Sequence, residues 1–305
     1  MSKAKISGFT MVRNATKYYF PIKESILSIL PIVDEFIIAL GDNDESDRTR
    51  EEIESIQSDK IKIIDRVWSE EDFVESKIFA KETTFALENC SGDWCFYIQA
   101  DEVIHEQDLD AIVKACEDNL DNKDIDGLLF KYNHFFGDYD HYLPFHGWYK
   151  NEIRIVRNNS GIYSYKDAQS FRKLDNEKLN VKLIDAHVFH YGWVRPPELM
   201  QSKKKEHDSI HHGKAKINEA YKLRPDEFDY GALGKVPKFK GSHPKVMNNF
   251  RKKISWLNKL NYSKKADLNR DLMKHEKPKY RFISFLENTF NNGKDIFGYS
   301  NWNKL

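Results

Sequence analysis

The chemistry of this chain is concentrated where apolar runs stop at carboxylates. Between Trp94 and His105 the sequence reads WCFYIQADEVIH. Cys95, Phe96, Tyr97 and Ile98 have the pattern of a strand buried on both faces, and the run ends at Gln99, Ala100, Asp101 and Glu102. Acidic groups at the carboxyl end of a buried strand are placed to hold a hard cation against a phosphorylated ligand. The same residues would also serve as a solvated turn opening a helix, so their meaning depends on the rest of the chain. A second apolar run, Glu35–Leu40 (EFIIAL), stops at Gly41 and the acidic loop DNDESDRT. Asp42 there is an acceptor suited to the hydroxyls of a ribose or the N–H groups of a base, while Asp101 is suited to Mg²⁺ or Mn²⁺ bridging two phosphates.

Alternating elements are expected to bring these loops together. Ile6–Val12 reads as a first strand, Tyr19–Leu30 as a helix with Pro21 near its start, Glu35–Leu40 as the second strand, and a helix follows to about Gln57. Ile61–Asp65 reads as the third strand, Glu75–Glu88 as a helix, and the run from Trp94 as the fourth strand. Strand and helix in alternation with short connections imply a mostly parallel sheet covered on both faces. The strand ends then share one rim bearing Arg13 and Asn14, Asp42 to Asp47, Arg66 and Trp68, and Gln99 to Glu102. No GxGxxG follows the first strand and no GxxxxGK[ST] occurs, which excludes a dinucleotide-binding Rossmann unit and a P-loop.

Net charge is zero, but its distribution is uneven. From Lys203 onward there are 24 basic and 11 acidic residues, against 24 and 37 before it, so a basic C-terminal third of +13 follows an acidic body of −13. A basic module serves a phosphate-bearing substrate, an anionic membrane surface or nucleic acid, or simply attracts the acidic body. Cys90, Cys95 and Cys116 lack CxxC spacing and are expected to be free thiols. No apolar stretch approaches the roughly 18 residues of a membrane span, and the N-terminus lacks the long apolar segment of a signal peptide, so a cytoplasmic protein is expected.

The order SGFTMVRN, DEFIIALGDNDESDRT, ALENCSGDW, FYIQADEVI resembles the nucleotide-sugar-binding half of family 2 glycosyltransferases of the GT-A fold. In that family the second strand ends in a D-G-S-x-D-x-T loop whose first acid holds the nucleoside. Asp42 matches that acid, and Asp47 and Thr49 match the later positions after one extra residue. The D-x-D signature of the fourth strand falls on Gln99, Ala100 and Asp101, with Gln in place of the first acid and the metal-contacting position retained. The likeness covers about residues 4 to 195. It implies an α/β fold with a GT-A-like, mostly parallel sheet over residues 1–202, divided near 105 into a nucleotide-sugar half and an acceptor half. A mainly helical, basic extension is expected over 203–305.

Past the fourth strand, a helix is expected over about Glu106–Asn119 and a strand over Gly127–Tyr132, followed by the aromatic loop NHFFGDYDHYLPFHGWYKNE. Tyr139, Tyr142, Phe145, Trp148 and Tyr149 offer flat faces to sugar rings, about half of them being expected in the core. Glu152–Val156 reads as an edge strand with Arg154 and Arg157 available to an anion. An inverting transfer needs a carboxylate to take the acceptor's proton; Asp167 is the first candidate and Glu152 the second. The resemblance points to the same region, where relatives read V-H-E and this chain places Gln169 last. In IDAHVFHYGWVR, His187 and His190 point to opposite faces of a strand, and the resemblance favours His190 beside Asp101 at the metal. Arg195 or Lys203 to Lys205 are expected to meet the leaving diphosphate.

His207, His211, His212 and Asp208 read as a solvated helix, Pro225–Pro244 as a connector, and Lys245–Leu260 and Tyr280–Phe290 as amphipathic helices. The resulting expectation is an inverting, Mn²⁺- or Mg²⁺-assisted glycosyltransferase moving a sugar from a nucleoside diphosphate donor to a hydroxyl of a glycan or glycoconjugate. Arg13, Asn14, Asp42, Gln99 and Arg195 would hold the donor, and the basic extension would allow peripheral membrane contact. Nucleic acid is not an expected partner. A nucleotidyltransferase of related fold, or a sugar-binding scaffold without catalysis, are the alternatives, the former disfavoured because VRNATKYY has no glycine.

Overall fold

The structure is a computed structural model that describes residues 3–69, 71–73, 77–266, 270–291, 296 and 299–305, with the backbone alone at 210–212 and 214–215. Its first half follows the alternation expected. The elements are β1 (Ile6–Val12), α1 (Ile22–Ile29), β2 (Glu35–Leu40), α2 (Thr49–Glu54), β3 (Ile61–Asp65), α3 (Lys77–Glu88) and β4 (Trp94–Tyr97). β2, β1 and β4 are apolar on both faces because helices cover both, and β1 pairs in parallel with β2 and with β4. Ile22, Ile26 and Ile29 of α1 pack one face, and Ala86 and Leu87 of α3 the other. α1 starts later than the sequence pattern implies because Tyr19 takes a left-handed backbone (φ +58°) just before Pro21. Residues 75 and 76, the expected start of α3, lie outside the described residues.

The second half comprises β5 (Glu102–Ile104), α4 (Leu109–Asp118), β6 (Gly127–Phe136), β7 (Asn151–Arg157), β8 (Tyr163–Tyr165), β9 (Ser170–Arg172) and β10 (Asn180–Trp193). The main sheet runs β11-β10-β6-β7-β4-β1-β2-β3, with β5 on β10, and most of its pairings are parallel. One strand is added and one expectation corrected here. The run from Trp94 stops before Gln99 as the sequence implies, but Glu102–Ile104 then forms a further strand that pairs antiparallel with β10, setting Glu102 opposite His190. β7 is not an edge strand, since it lies between β4 and β6 and is antiparallel to both.

The chain continues through α5 (Pro197–His212), α6 (Lys214–Tyr221), α7 (Asn248–Arg251), α8 (Pro278–Phe290) and β11 (Asn303–Lys304). α5 runs through residue 202, and Tyr230, Met247, Phe250 and Trp256 share one core with Phe135, Phe136 and Tyr191 of the sheet. The expected long helix over 245–260 is broken into short turns. Phe250 and Trp256 are both buried in the same core from these separate turns. Among the described residues no helix is long and apolar enough to cross a membrane.

Candidate active site

At the carboxyl ends of β1 and β4 lies a cavity of about 200 Å³, lined by Arg13, Phe20, Trp68, Gln99, Asp101 and Asp167 among others. The turn after β4 builds its floor. Gln99 donates its backbone N–H to Glu102 Oε2 (3.1 Å) and its carbonyl accepts from Ser25 Oγ (2.9 Å), while the carbonyl of Asp101 accepts from the N–H of Tyr191 (2.8 Å). These bonds aim the Asp101 side chain, only 8 % exposed, at β10. Its Oδ2 is 3.7 Å from His190 Nε2 and 3.5 Å from Lys203 Nζ. Burial alone would favour the protonated acid, but His190, Lys203 and Arg195 together hold Asp101 well below the usual carboxylate range.

Gly192 makes that approach possible. A Cβ at this position would stand 2.5 Å from His190 Nε2 and 2.6 Å from Asp101 Oδ2, inside the gap between them. The gap, with one carboxylate and one imidazole facing it, would offer a Mg²⁺ or Mn²⁺ ion one oxygen and one nitrogen donor. Among the described residues no three His, Cys, Asp or Glu side chains converge as a metal cluster.

The loop after β2 serves the cavity indirectly. Asp42 Oδ1 accepts from the N–H of Trp68 (3.0 Å), and Arg13 donates from Nε to the Asp42 carbonyl (2.9 Å) with its guanidinium 5.5 Å from the Trp68 ring centre. Gly41 lets the indole lie close, since a Cβ there would meet Trp68 Nε1 at 2.7 Å. That indole N–H is buried and has no hydrogen-bond partner among the described residues. Asn14 is buried and spent on the loop: its Oδ1 accepts from the N–H of Asp44, and its N–H donates to Asn43 Oδ1. Asp47 likewise accepts from Thr16 Oγ1, Lys17 N and Thr49 N.

Arg195 sits behind the site. It is fully buried, donating to the carbonyls of Tyr18 (2.6 Å) and Gly192 (2.8 Å), with its Nε unpartnered among the described residues. Lys203, half-buried at the start of the basic third, reaches Gly192 O (3.3 Å) as well as Asp101. Arg154 and Arg157 are not available to an anion, contrary to expectation. Arg154 is buried and forks onto both oxygens of Glu102, and Arg157 caps the carbonyls of Asn119, Leu120, Asn122 and Ile125.

The two candidate bases lie on either side of a partition. Asp167 is exposed and faces the first cavity; Gln169, two residues on, faces a second cavity of about 870 Å³ whose lining includes Glu152. Between them Ala168 is buried in a left-handed conformation (φ +59°), and its carbonyl accepts from Gln99 Nε2 at 3.5 Å. Glu152 is 2 % exposed, and burial pushes its carboxyl up to about 8 despite the opposing Arg154, with Glu102 and Asp167 adding to the rise.

The structure thus brings Arg13, Gln99, Asp101 and Asp167 to one cavity with His190 beside Asp101. Asp42 stands at its edge behind Trp68, and Asn14, Arg195 and Glu152 lie outside it. His187 turns away toward Asp108. Tyr139 is in the core, whereas Trp148 and Tyr149 line the second cavity. The side chains of His211 and His212 lie outside the described residues. Sequence reading did not find Phe20, which lies under both Arg195 and Lys203, or His134, which backs His190. Phe20 sits beside the Pro21 that was read only as a helix start, and His134 lies at the head of an aromatic loop.

No protein-family model and no curated protein sequence matches the chain. Solved structures with partial likeness include glucosyl-3-phosphoglycerate synthase from Mycobacterium tuberculosis, in complex with Mn²⁺, UDP and phosphoglyceric acid: 18 % identity over 44 % of this chain and 43 % of that one, TM-score 0.29. S. aureus TarS shows 13 % identity over 72 % and 45 %, TM-score 0.40. Mannosyl-3-phosphoglycerate synthase from Rubrobacter xylanophilus shows 16 % over 43 % and 41 %, TM-score 0.30. The chain spans less than half the length of each of these three structures.

Proposed function

We propose that this protein is an inverting glycosyltransferase that uses a nucleoside diphosphate sugar and a divalent cation. One observation carries the reading: Asp101 and His190 flank a gap kept open by Gly192, at the carboxyl-end cavity where Gln99 and Asp167 also meet. The nucleoside lies against Trp68, whose orientation Arg13 and Asp42 fix, and whose free N–H suits a ligand acceptor. Gln99 accepts from a ribose hydroxyl. Asp101 and His190 would hold Mn²⁺ or Mg²⁺. When bound, that cation supplies Lewis-acid stabilisation of the diphosphate. Lys203 and, behind it, Arg195 add positive charge on the same side.

Asp167 takes the proton of the acceptor hydroxyl as its oxygen bonds to the anomeric carbon from the face opposite the nucleotide. The bond from that carbon to the diphosphate oxygen breaks, and its electron pair leaves with the diphosphate. The acceptor in this reading is a glycan or glycoconjugate. Peripheral contact with an anionic membrane would use α8, where Phe282, Phe285 and Phe290 are exposed near Lys279 and Arg281.

The test is to incubate the full chain with nucleoside diphosphate sugars, Mn²⁺ and glycan acceptors, following nucleoside diphosphate release and the anomeric configuration of the product. Asp101→Ala should lower turnover by at least about a hundredfold. A retained anomeric configuration, or a D101A variant as fast as the wild type, would overturn the reading.

A further inference from the structure

We infer that the second cavity is a carbohydrate-binding acceptor subsite, in which Glu152 holds a hydroxyl of a neutral sugar and the C-terminal segment Tyr299–Lys304 forms one wall. The inference rests on the glycosyltransferase reading for its role, but the cavity can be tested without it.

Four features point to this ligand. The cavity, about 870 Å³, is within the range of small-molecule sites and much larger than the first one. Its lining combines aromatic rings, Trp148, Tyr149 and Trp302, with the amides of Asn133, Asn151 and Gln169. Rings pack the C–H faces of a sugar, and amides both donate to and accept from hydroxyls. Among the described residues of that lining Glu152, 2 % exposed, is the one carboxylate, and its Oε2 has no hydrogen-bond partner among them. A buried carboxyl oxygen left unpartnered is destabilising, and a ligand hydroxyl would relieve it.

Among the described lining residues two of the three lysines, all but Lys304, are already neutralised by acids, Lys131 by Asp185 (2.6 Å) and Lys150 by Glu287 (2.8 Å). The wall at residues 299–304 is tied to the body. Asn303 and Lys304 pair with Asn180 and Val181, and Arg172 donates to the carbonyl and to Oδ1 of Asn301 (2.8 and 2.9 Å). Trp302, within this tied segment, packs against the core cluster that holds Leu129 and Val181 and lines the cavity. Asp167 and Gln169, two residues apart, line the first and the second cavity respectively, so the two cavities adjoin at this segment.

The test uses the full chain and methyl glycosides of glucose, galactose, mannose and N-acetylglucosamine, with glucose 6-phosphate as the anionic probe. Binding is followed by saturation-transfer NMR and Trp fluorescence, in wild type, Trp302→Ala and Glu152→Gln. At least one neutral glycoside should bind, undisplaced by UDP with Mn²⁺, and both substitutions should weaken it by about tenfold or more, close to 1.4 kcal/mol. UDP affinity in the same variants reads the first cavity separately. Failure of any neutral glycoside to bind, preferential binding of the phosphorylated sugar, or glycoside affinity unchanged in both variants would overturn the acceptor subsite. Absence of nucleoside diphosphate binding in the wild type would instead overturn the glycosyltransferase reading and leave the glycoside result standing.

Discussion

His134 and His190 face each other nitrogen to nitrogen, Nδ1 to Nδ1 at 2.9 Å, on adjacent strands of the sheet. The remaining nitrogen of His134 lies 2.7 Å from the Tyr149 carbonyl, which can only accept, so His134 Nε2 carries a proton. Burial and the neighbouring His190 keep His134 well below the ordinary histidine range, hence neutral, with a lone pair on Nδ1. His190 must then donate from its own Nδ1. With Nδ1 donating to His134, Nε2, the atom that faces Asp101, is the nitrogen of His190 left to bind a cation. His134→Ala should therefore weaken Mn²⁺ binding about ten- to a hundredfold, the usual loss when the partner of a ligating histidine is removed. Electron paramagnetic resonance titration of Mn²⁺ in the presence of UDP checks this; unchanged affinity would detach His134 from the site.

Gly192 offers a second test that separates site from fold. The atoms nearest an Ala Cβ there are side-chain ends, His190 Nε2 and Asp101 Oδ2, rather than backbone. The fold should tolerate Gly192→Ala, with a melting temperature within a few degrees of wild type, while turnover falls by about a hundredfold as the two groups are displaced. Thermal melts and initial rates on the same preparation would show it. Equal losses in both would make Gly192 a folding residue instead.

Much of this was legible beforehand, and the failures share a cause. β1, β2 and β3 match their sequence bounds to the residue because an apolar run flanked by turn residues is a local signal. Asp101 and His190, which the family resemblance sets side by side, do lie next to each other, 3.7 Å apart. The register that joins them, Glu102 opposite His190, is a contact 88 residues apart that no local pattern encodes. Arg154 shows the limit most clearly. From sequence it is a cation on a strand and therefore a candidate for an anionic ligand, yet its partner is Glu102, carried there by the turn at Gln99–Asp101. His134 was hidden in a different way, in an aromatic stretch whose composition suggested stacking and gave no sign of a partner on β10.

That buried pair predicts a stability effect distinct from catalysis. Glu102 is fully buried and accepts from Arg154 Nε (2.8 Å), Arg154 Nη2 (2.7 Å) and Tyr132 Oη (2.6 Å). Arg154→Met would strand the carboxylate and should cost about 3–5 kcal/mol, whereas the double replacement Arg154→Met, Glu102→Leu should recover much of it. Urea denaturation of the two variants and wild type gives the comparison. A double variant no more stable than the single one would show that the turn itself needs Glu102, through its bond to the Gln99 N–H.

Glu152 makes stability depend on pH in a predictable direction. Its folded carboxyl titrates near 8 against an ordinary 4.5, raised first by burial. Below pH 4.5 both folded and unfolded chains hold the proton and the group contributes no slope. Between 4.5 and 8 the unfolded chain releases its proton while the folded one keeps it, so stability falls as pH rises, by at most about 1.4 kcal/mol per pH unit from this group. Above 8 both forms are ionised and the loss levels off. Glu152→Gln carries no such titration, so the melting temperature of the variant relative to wild type should climb between pH 5 and pH 8. Differential scanning calorimetry across that interval decides the matter: a constant offset would mean that Glu152 ionises normally in the folded protein, and that its unpartnered oxygen is reached by water.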